Sequence, residues 1–219
     1  RFLENYPSIE HFSHPDKLGH KYSLSERFNP RDFRRFVKSN PLWRDFDAWI
    51  KSPAFVRGVL EALSAHSLDL GYDPDMSVMK QLQKRVTHGG RLNCSAARLR
   101  SRFEFSMLPA DGGHILPHTD SPNKIVTLII SMVGEGEWNP QWGGGTDVNQ
   151  HKDIRQAFNL TNRQAAFGDM DVLDTFEFSP NQAVIFIKTF NSWHSVQPML
   201  GKGTDAMRKT LTINIEAFA

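Results

Sequence analysis

The feature that most constrains this chain is the set of four strand-grade runs in its second half: RLRSRFEFSML, KIVTLIISMV, QAVIFIKTF and RKTLTINIEAF. Each alternates or is rich in β-branched residues, and clusters of Gly, Pro and Asn separate them, which predicts antiparallel β-structure. The first 75 residues read differently. PRDFRRFVKS places Phe33, Phe36 and Val37 on one helical face, and PLWRDFDAWI repeats the pattern with Leu42, Phe46, Trp49 and Ile50. Asn40 before Pro41 and Ser52 before Pro53 are helix starts, and a third helix, PAFVRGVLEALSAH, is expected to end near Gly71. Residues 1 to 30 are polar, carry several prolines and show no sustained periodicity, so they are expected to wrap the surface.

Helices first and strands afterward predict an α+β chain, a double-stranded β-helix (jelly roll) with the N-terminal helices packed on one outer face. At 219 residues and 39% hydrophobic content the chain suits a single domain, residues 1 to 219, with a mostly helical layer over 1–75 and a jelly-roll core over 76–219. The mixed stretch 147–180 reads as an insertion beside that core. Within it IRQAFNL is a helical turn, FGDMDVLDTFEF a weak strand, and the whole a candidate for substrate contact.

Charge and cysteine content exclude several classes. A formal net charge of +2 provides no basic footprint for nucleic acid. The longest apolar runs, Ile125 to Ile130 and Val184 to Ile187, are strand-sized, so no membrane span is expected. The single cysteine, Cys94, rules out an intrachain disulfide and points to a reducing, cytoplasmic setting. The opening residues, RFLENYPSIEH, lack the progression of a signal peptide, although the chain starts at Arg1 rather than Met and residues can precede it.

The segment ADGGHILPHTDSPNK holds a His-X-Asp pair, His118 and Asp120, just before IVTLII. In extended backbone, residues two apart project to the same side, so these two can share one ion. NSWHSVQP offers a third ligand, His194, after the strand AVIFIK. Two histidines and one carboxylate on one face of an octahedral ion leave positions open for exogenous ligands, the facial triad of non-haem Fe(II) oxygenases. Arg208 opens the last strand, RKTLTINI, where an arginine inside a sandwich is costly unless it meets an anion. Its planar fork suits the distal carboxylate of 2-oxoglutarate, and Thr210, on the same side by the period-two rule, can add a hydroxyl.

The order PHTD, GGGTD, WHSVQP, RKTLTINI resembles the prolyl-hydroxylase-like branch of the 2-oxoglutarate and Fe(II)-dependent oxygenases over roughly residues 98 to 216. The resemblance implies metal ligands at His118, Asp120 and His194 and a cosubstrate arginine at Arg208, with catalysis at the same triad. It implies Fe(II), 2-oxoglutarate and O2, with ascorbate as an optional addition, and hydroxylation of an unactivated C–H bond with release of succinate and CO2. Halogenating relatives lack the carboxylate that Asp120 supplies here, so hydroxylation is favoured. The substrate expected is a small molecule, an amino acid or a prolyl peptide; oligomeric state stays open. The competing classes are a cupin-like metal-dependent binding protein without redox turnover and an inert interaction module.

Other residues carry weaker signals. Arg100 and Arg102 share one side of a strand and read first as an exposed face and second as cavity groups. Trp193 reads as packing, Thr127 and Lys188 flank the site with unassigned facing, and Gly143, Gly144 and Gly145 form a tight start to a strand. His114 lies four residues before His118, but Gly112, Gly113 and Pro117 oppose the helix that a zinc-protease motif needs. No G-X-S-X-G elbow is present, and Cys94 lacks a nucleophile signature.

Overall fold

The computed structural model describes residues 1–13, 21–70, 72, 98–158 and 161–218. Gly71 and Cys94 lie outside the described residues, as does the expected change of character near residue 76. Three helices, α1 (Pro30–Ser39), α2 (Pro41–Ile50) and α3 (Pro53–Ala65), each begin with proline, whose fixed φ and missing N–H suit the first helical position. Asn40 Oδ1 accepts from the Leu42 and Trp43 amides, and Ser52 Oγ accepts from the Phe55 amide at 3.3 Å, caps worth about 1 kcal/mol each. α3 closes at Ala65, several residues before the expected Gly71. There His66 adopts a non-helical conformation and Ser67 turns to φ 63°, so a local reversal ends the helix.

Among the described residues there are nine strands, one before α1 and eight after α3: β1 (Tyr22–Ser25), β2 (Arg98–Pro109), β3 (Ile115–His118), β4 (Lys124–Ser131), β5 (Thr146–His151), β6 (Met170–Phe176), β7 (Ala183–Ile187), β8 (Trp193–Val196) and β9 (Met207–Phe218). A short helix, α4 (Ile154–Ala157), lies between β5 and β6, where IRQAFNL predicts a turn. The strands form two antiparallel sheets, ordered β1-β2-β9-β4-β7 and β3-β8-β5-β6. From β2 onward the chain alternates between the sheets, except at the β5–β6 neighbours, and this is the jelly-roll winding expected from the strand pattern. Phe186 of the first sheet meets His194 of the second with ring centroids 4.6 Å apart, so the sheets face each other.

Two expectations change. The stretch 147–180 is not an insertion outside the core, because it supplies most of β5 and all of β6, half of the second sheet. Its strand pattern is weak because β6 is a sheet edge and most of its residues are exposed, so alternation has no buried face to record. Residues 1–30 are also more than a wrapping: Tyr22 to Ser25 pair with Glu104 to Met107 as an added edge strand, too short for periodicity to show.

The helices cover one face of the first sheet. Phe33, Phe36 and Trp43 pack on Phe103 and Phe105, with Trp43 and Phe105 edge to face at 4.7 Å. Each such side chain contributes roughly 1.5–3 kcal/mol by burial, and each aromatic pair about 0.5–1.5 kcal/mol more. Because strand side chains alternate, burying Phe103, Phe105, Leu211 and Ile213 under the helices turns Glu104, Ser106, Thr210 and Thr212 toward the space between the sheets. The aromatic layer therefore decides which residues can reach a site inside the jelly roll.

Candidate metal centre

β3 and β8 pair so that His118 stands directly opposite His194, and their ring centroids lie 4.2 Å apart. Asp120 follows β3 by two residues and is buried. One ligand atom from each of the three residues lies within 4.8 Å of the others, close enough to hold a single ion. His118 Nδ1 is 2.9 Å from the Leu116 carbonyl and His194 Nδ1 is 3.0 Å from the Ser192 carbonyl. Donating that proton to the backbone leaves each Nε2 lone pair free, the tautomer a divalent cation needs.

The charge state suits a cation as well. Burial, reinforced by His194, pushes His118 down to about 3 against the opposing pull of Asp120. His194 is lowered by burial too. Burial alone would raise Asp120, but the nearby charges, Lys124 foremost, outweigh it and hold the carboxyl well below its usual range. Near neutrality the site thus presents two neutral imidazoles and one carboxylate.

Asp120 is held at both oxygens. Lys124 Nζ donates to Oδ1 at 2.7 Å, and Thr127 Oγ1 lies 3.3 Å from Oδ2 and 3.2 Å from Asn214 Oδ1, with one proton to donate between them. The backbone turn from Lys124 N to the Ser121 carbonyl returns the lysine to the carboxylate it follows. Lys124 escaped notice in the sequence, although the Asp-Ser-Pro-Asn-Lys run that makes the turn is its signal. Lys188, whose facing was open, also turns inward: its Nζ is buried without a hydrogen-bond partner among the described residues.

Across the same cavity, Arg208 is 4% exposed, and among the described residues no carboxylate pairs with it. Its Nε donates to the Gly144 carbonyl at 2.5 Å, and its guanidinium stacks over Phe178 at 4.5 Å. Burial lowers it to about 10. Thr210 lies beside it, its Oγ1 2.8 Å from Ser106 Oγ. From the opposite face the Tyr6 hydroxyl reaches the carbonyls of Ser106 and Thr210 at 2.9 and 3.0 Å, pinning β2 to β9 at this point. One cavity is lined by His118, Asp120 and His194 toward one end and by Arg208, Thr210 and Thr212 along β9.

Several weaker candidates fall outside this arrangement. Arg102, read first as part of an exposed strand face, is instead largely buried in ion pairs with Glu216 at 2.8 Å and Glu104 at 3.4 Å, because the neighbouring strand places Glu216 within its reach. Arg100 is exposed. Trp193 is packing, its Nε1 donating to the Ala157 carbonyl. His114 does not join the group of three. The glycine run does start β5, and Gly144, at φ 86°, lies against Trp138, Met199 and the Arg208 side chain, where no Cβ fits comfortably.

The model of the 2OG-Fe(II) oxygenase superfamily matches residues 103–216, more than half of the chain, from within β2 to within β9. This chain belongs to that superfamily. Its cofactors are therefore Fe(II), 2-oxoglutarate and O2, and the donor set of two imidazoles and a carboxylate fits the metal. Among solved structures it is similar to a prolyl hydroxylase from Trichoplax adhaerens in complex with a hypoxia inducible factor peptide fragment, at 12% identity, covering 94% of this chain and 70% of that one with a TM-score of 0.42. A Pseudomonas putida prolyl-4-hydroxylase is similar at 13% identity, with coverage of 94% and 77% and a TM-score of 0.42. IDO from Bacillus thuringiensis is similar at 12% identity over 64% of this chain and 55% of that one, with a TM-score of 0.38. Curated protein sequences return no match. Among the described residues no helix is long and apolar enough to cross a membrane.

Proposed function

We propose that this oxygenase is a hydroxylase in which His118, Asp120 and His194 hold Fe(II) and Arg208, assisted by Thr210, anchors the distal carboxylate of 2-oxoglutarate. The observation that carries the reading is Arg208: a buried guanidinium without a counter-anion, lining the cavity that the three ligands also line. A buried charge is costly unless paired, and a dicarboxylate is the partner that this cavity lacks.

When bound, Fe(II) and 2-oxoglutarate supply oxidising power, O2 being consumed as 2-oxoglutarate becomes succinate and CO2 and one oxygen atom enters a substrate C–H bond. The chain's own residues provide geometry. The carbonyls of Leu116 and Ser192 orient the two imidazoles, Lys124 and Thr127 hold the carboxylate of Asp120, and Gly144 and Phe178 set the plane of the Arg208 fork. Asp120 fills the position that a halide would need, which favours hydroxylation over halogenation.

The test is anaerobic addition of Fe(II) and 2-oxoglutarate, which should produce a weak visible charge-transfer band that Arg208→Ala abolishes. Succinate release then separates a turning-over oxygenase from a binding protein of cupin type. Folded protein that shows no band sinks the proposal.

A further inference from the structure

Two cavities approach the metal ligands, and they differ in the charge of their walls. On the side of His118 and Asp120, a space of about 190 Å³ is lined by Lys21, Arg27, Arg102, Lys124 and Glu104. On the side of His194, a groove of about 460 Å³ runs between β5, β6 and β7, within the size range of about 300–1,000 Å³ typical for small ligands. Among the described residues no lysine, arginine or glutamate lines this second groove. Its ionisable side chains besides His194 are Asp147 and His151. The Asp147 carboxylate already accepts from Thr175, Ser195 and Gln197, and His151 Nδ1 accepts from the Asp153 amide.

The groove's exposed wall is mostly apolar, with Leu173 61% exposed, Phe176 44% and Phe158 61%, beside Val148 and Val184, while Asn149, Gln150, Thr189, Asn191 and Ser192 add uncharged polar groups. Side chains of this kind clustered around one concavity mark a binding surface. The groove also leads to the metal centre, because Thr146, Phe186 and His194 line both it and the inner cavity.

We infer that this groove is the substrate chamber and that it takes an uncharged, predominantly hydrocarbon small molecule, alkyl or aromatic, presenting one end past Phe186 toward the metal. The inference rests on the oxygenase reading above and names its substrate class. Charge complementarity selects the occupant. A zwitterionic amino acid finds no lysine or arginine among the described lining residues for its carboxylate and only Asp147, already held by three donors, for its ammonium, and a peptide leaves its backbone groups against Leu173, Phe176 and Phe158 unpaired. Covering those side chains is itself the driving force for binding.

The test uses the full chain with N-phenyl-1-naphthylamine, a neutral apolar fluorophore, titrated without metal. Saturable binding is expected, weakened at least tenfold in Leu173→Arg and in Val148→Glu, with far-UV circular dichroism confirming that each variant is folded. Neutral alkyl and aryl compounds should raise succinate release at least tenfold above the substrate-free rate, and Leu173→Arg should act mainly on KM. Probe binding that Leu173→Arg leaves unchanged overturns the chamber, as does stimulation by amino acids or prolyl peptides and not by neutral compounds. Sedimentation showing a dimer that Leu173→Arg dissociates also overturns it, by giving the face to a second copy. Loss of the chamber with the charge-transfer band intact leaves the oxygenase reading standing, whereas absence of the band removes the reading itself.

Discussion

Replacing Arg208 by methionine should move stability and cosubstrate affinity in opposite directions, a signature that a structural arginine does not produce. Burial lowers this guanidinium from the usual arginine range to about 10. At about 1.4 kcal/mol per pH unit, the charged form costs the ligand-free fold roughly 3 kcal/mol. Both values lie above 7, so the group is charged in the folded and unfolded chains alike and the cost is present in full at neutral pH. The stack on Phe178 and the bond to the Gly144 carbonyl return part of it, together on the order of 1–3 kcal/mol. The ligand-free variant is therefore expected to be neutral to about 2 kcal/mol more stable, as when apolar residues replace buried ions elsewhere. Each kcal/mol gained raises Tm by about 2–4 °C in a chain of this size. Affinity for 2-oxoglutarate should fall by about 2–5 kcal/mol, roughly 30-fold to a few thousand-fold, because the ligand's distal carboxylate is left buried and unpaired. Calorimetric melting under nitrogen, with Mn(II) in place of Fe(II) and with 2-oxoglutarate varied, reads both quantities. A ligand-free variant destabilised by 2 kcal/mol or more refutes the argument, as does one still stabilised by 2-oxoglutarate like the parent.

Two further outcomes follow from the same geometry. The metal-free protein should lose stability as pH falls from about 6.5 toward 3. The unfolded chain protonates at His118 near 6.5 while the fold refuses that proton until about 3, and Asp120, held low, adds stability above 3.8 that is lost below it. Thermal midpoints measured across this window should rise with pH, and His118→Gln should flatten the upper part of the rise. Gly144→Ala should destabilise the protein by about 1–3 kcal/mol and weaken 2-oxoglutarate binding, since a Cβ at φ 86° meets Trp138 at 3.0 Å, Met199 at 3.1 Å and the Arg208 side chain at 3.3 Å. Urea titration and calorimetry of the folded variant test the two effects separately.

The site shows how local and non-local information divide. His118 and Asp120 are legible because extended backbone places residues two apart on one side, and Arg208 and Thr210 because the last strand keeps a strict period of two. Arg102 misleads for the same reason. Its strand face is readable, but Glu216 and Glu104, which consume its charge, come from cross-strand pairing and from the neighbouring position on its own strand. Lys124 has a local signal in the turn that returns it to Asp120, yet nothing local says that Thr127 converges on the same carboxylate.

The sequence by itself determined that helices precede an antiparallel jelly roll and singled out four ordered residues as candidates for metal and anion binding, since periodicity, proline-marked helix starts and motif order are properties of neighbouring residues. Only the tertiary structure decided that 147–180 belongs to the second sheet, that residues 22–25 extend the first, and that His118 stands opposite His194. The register between distant strands depends on which faces are buried against which, here the aromatic layer under α1 and α2. It also decided that one approach to the candidate metal centre carries lysine, arginine and glutamate while the other, among the described residues, carries none of them, because the walls of each are assembled from strands and loops that the chain holds far apart.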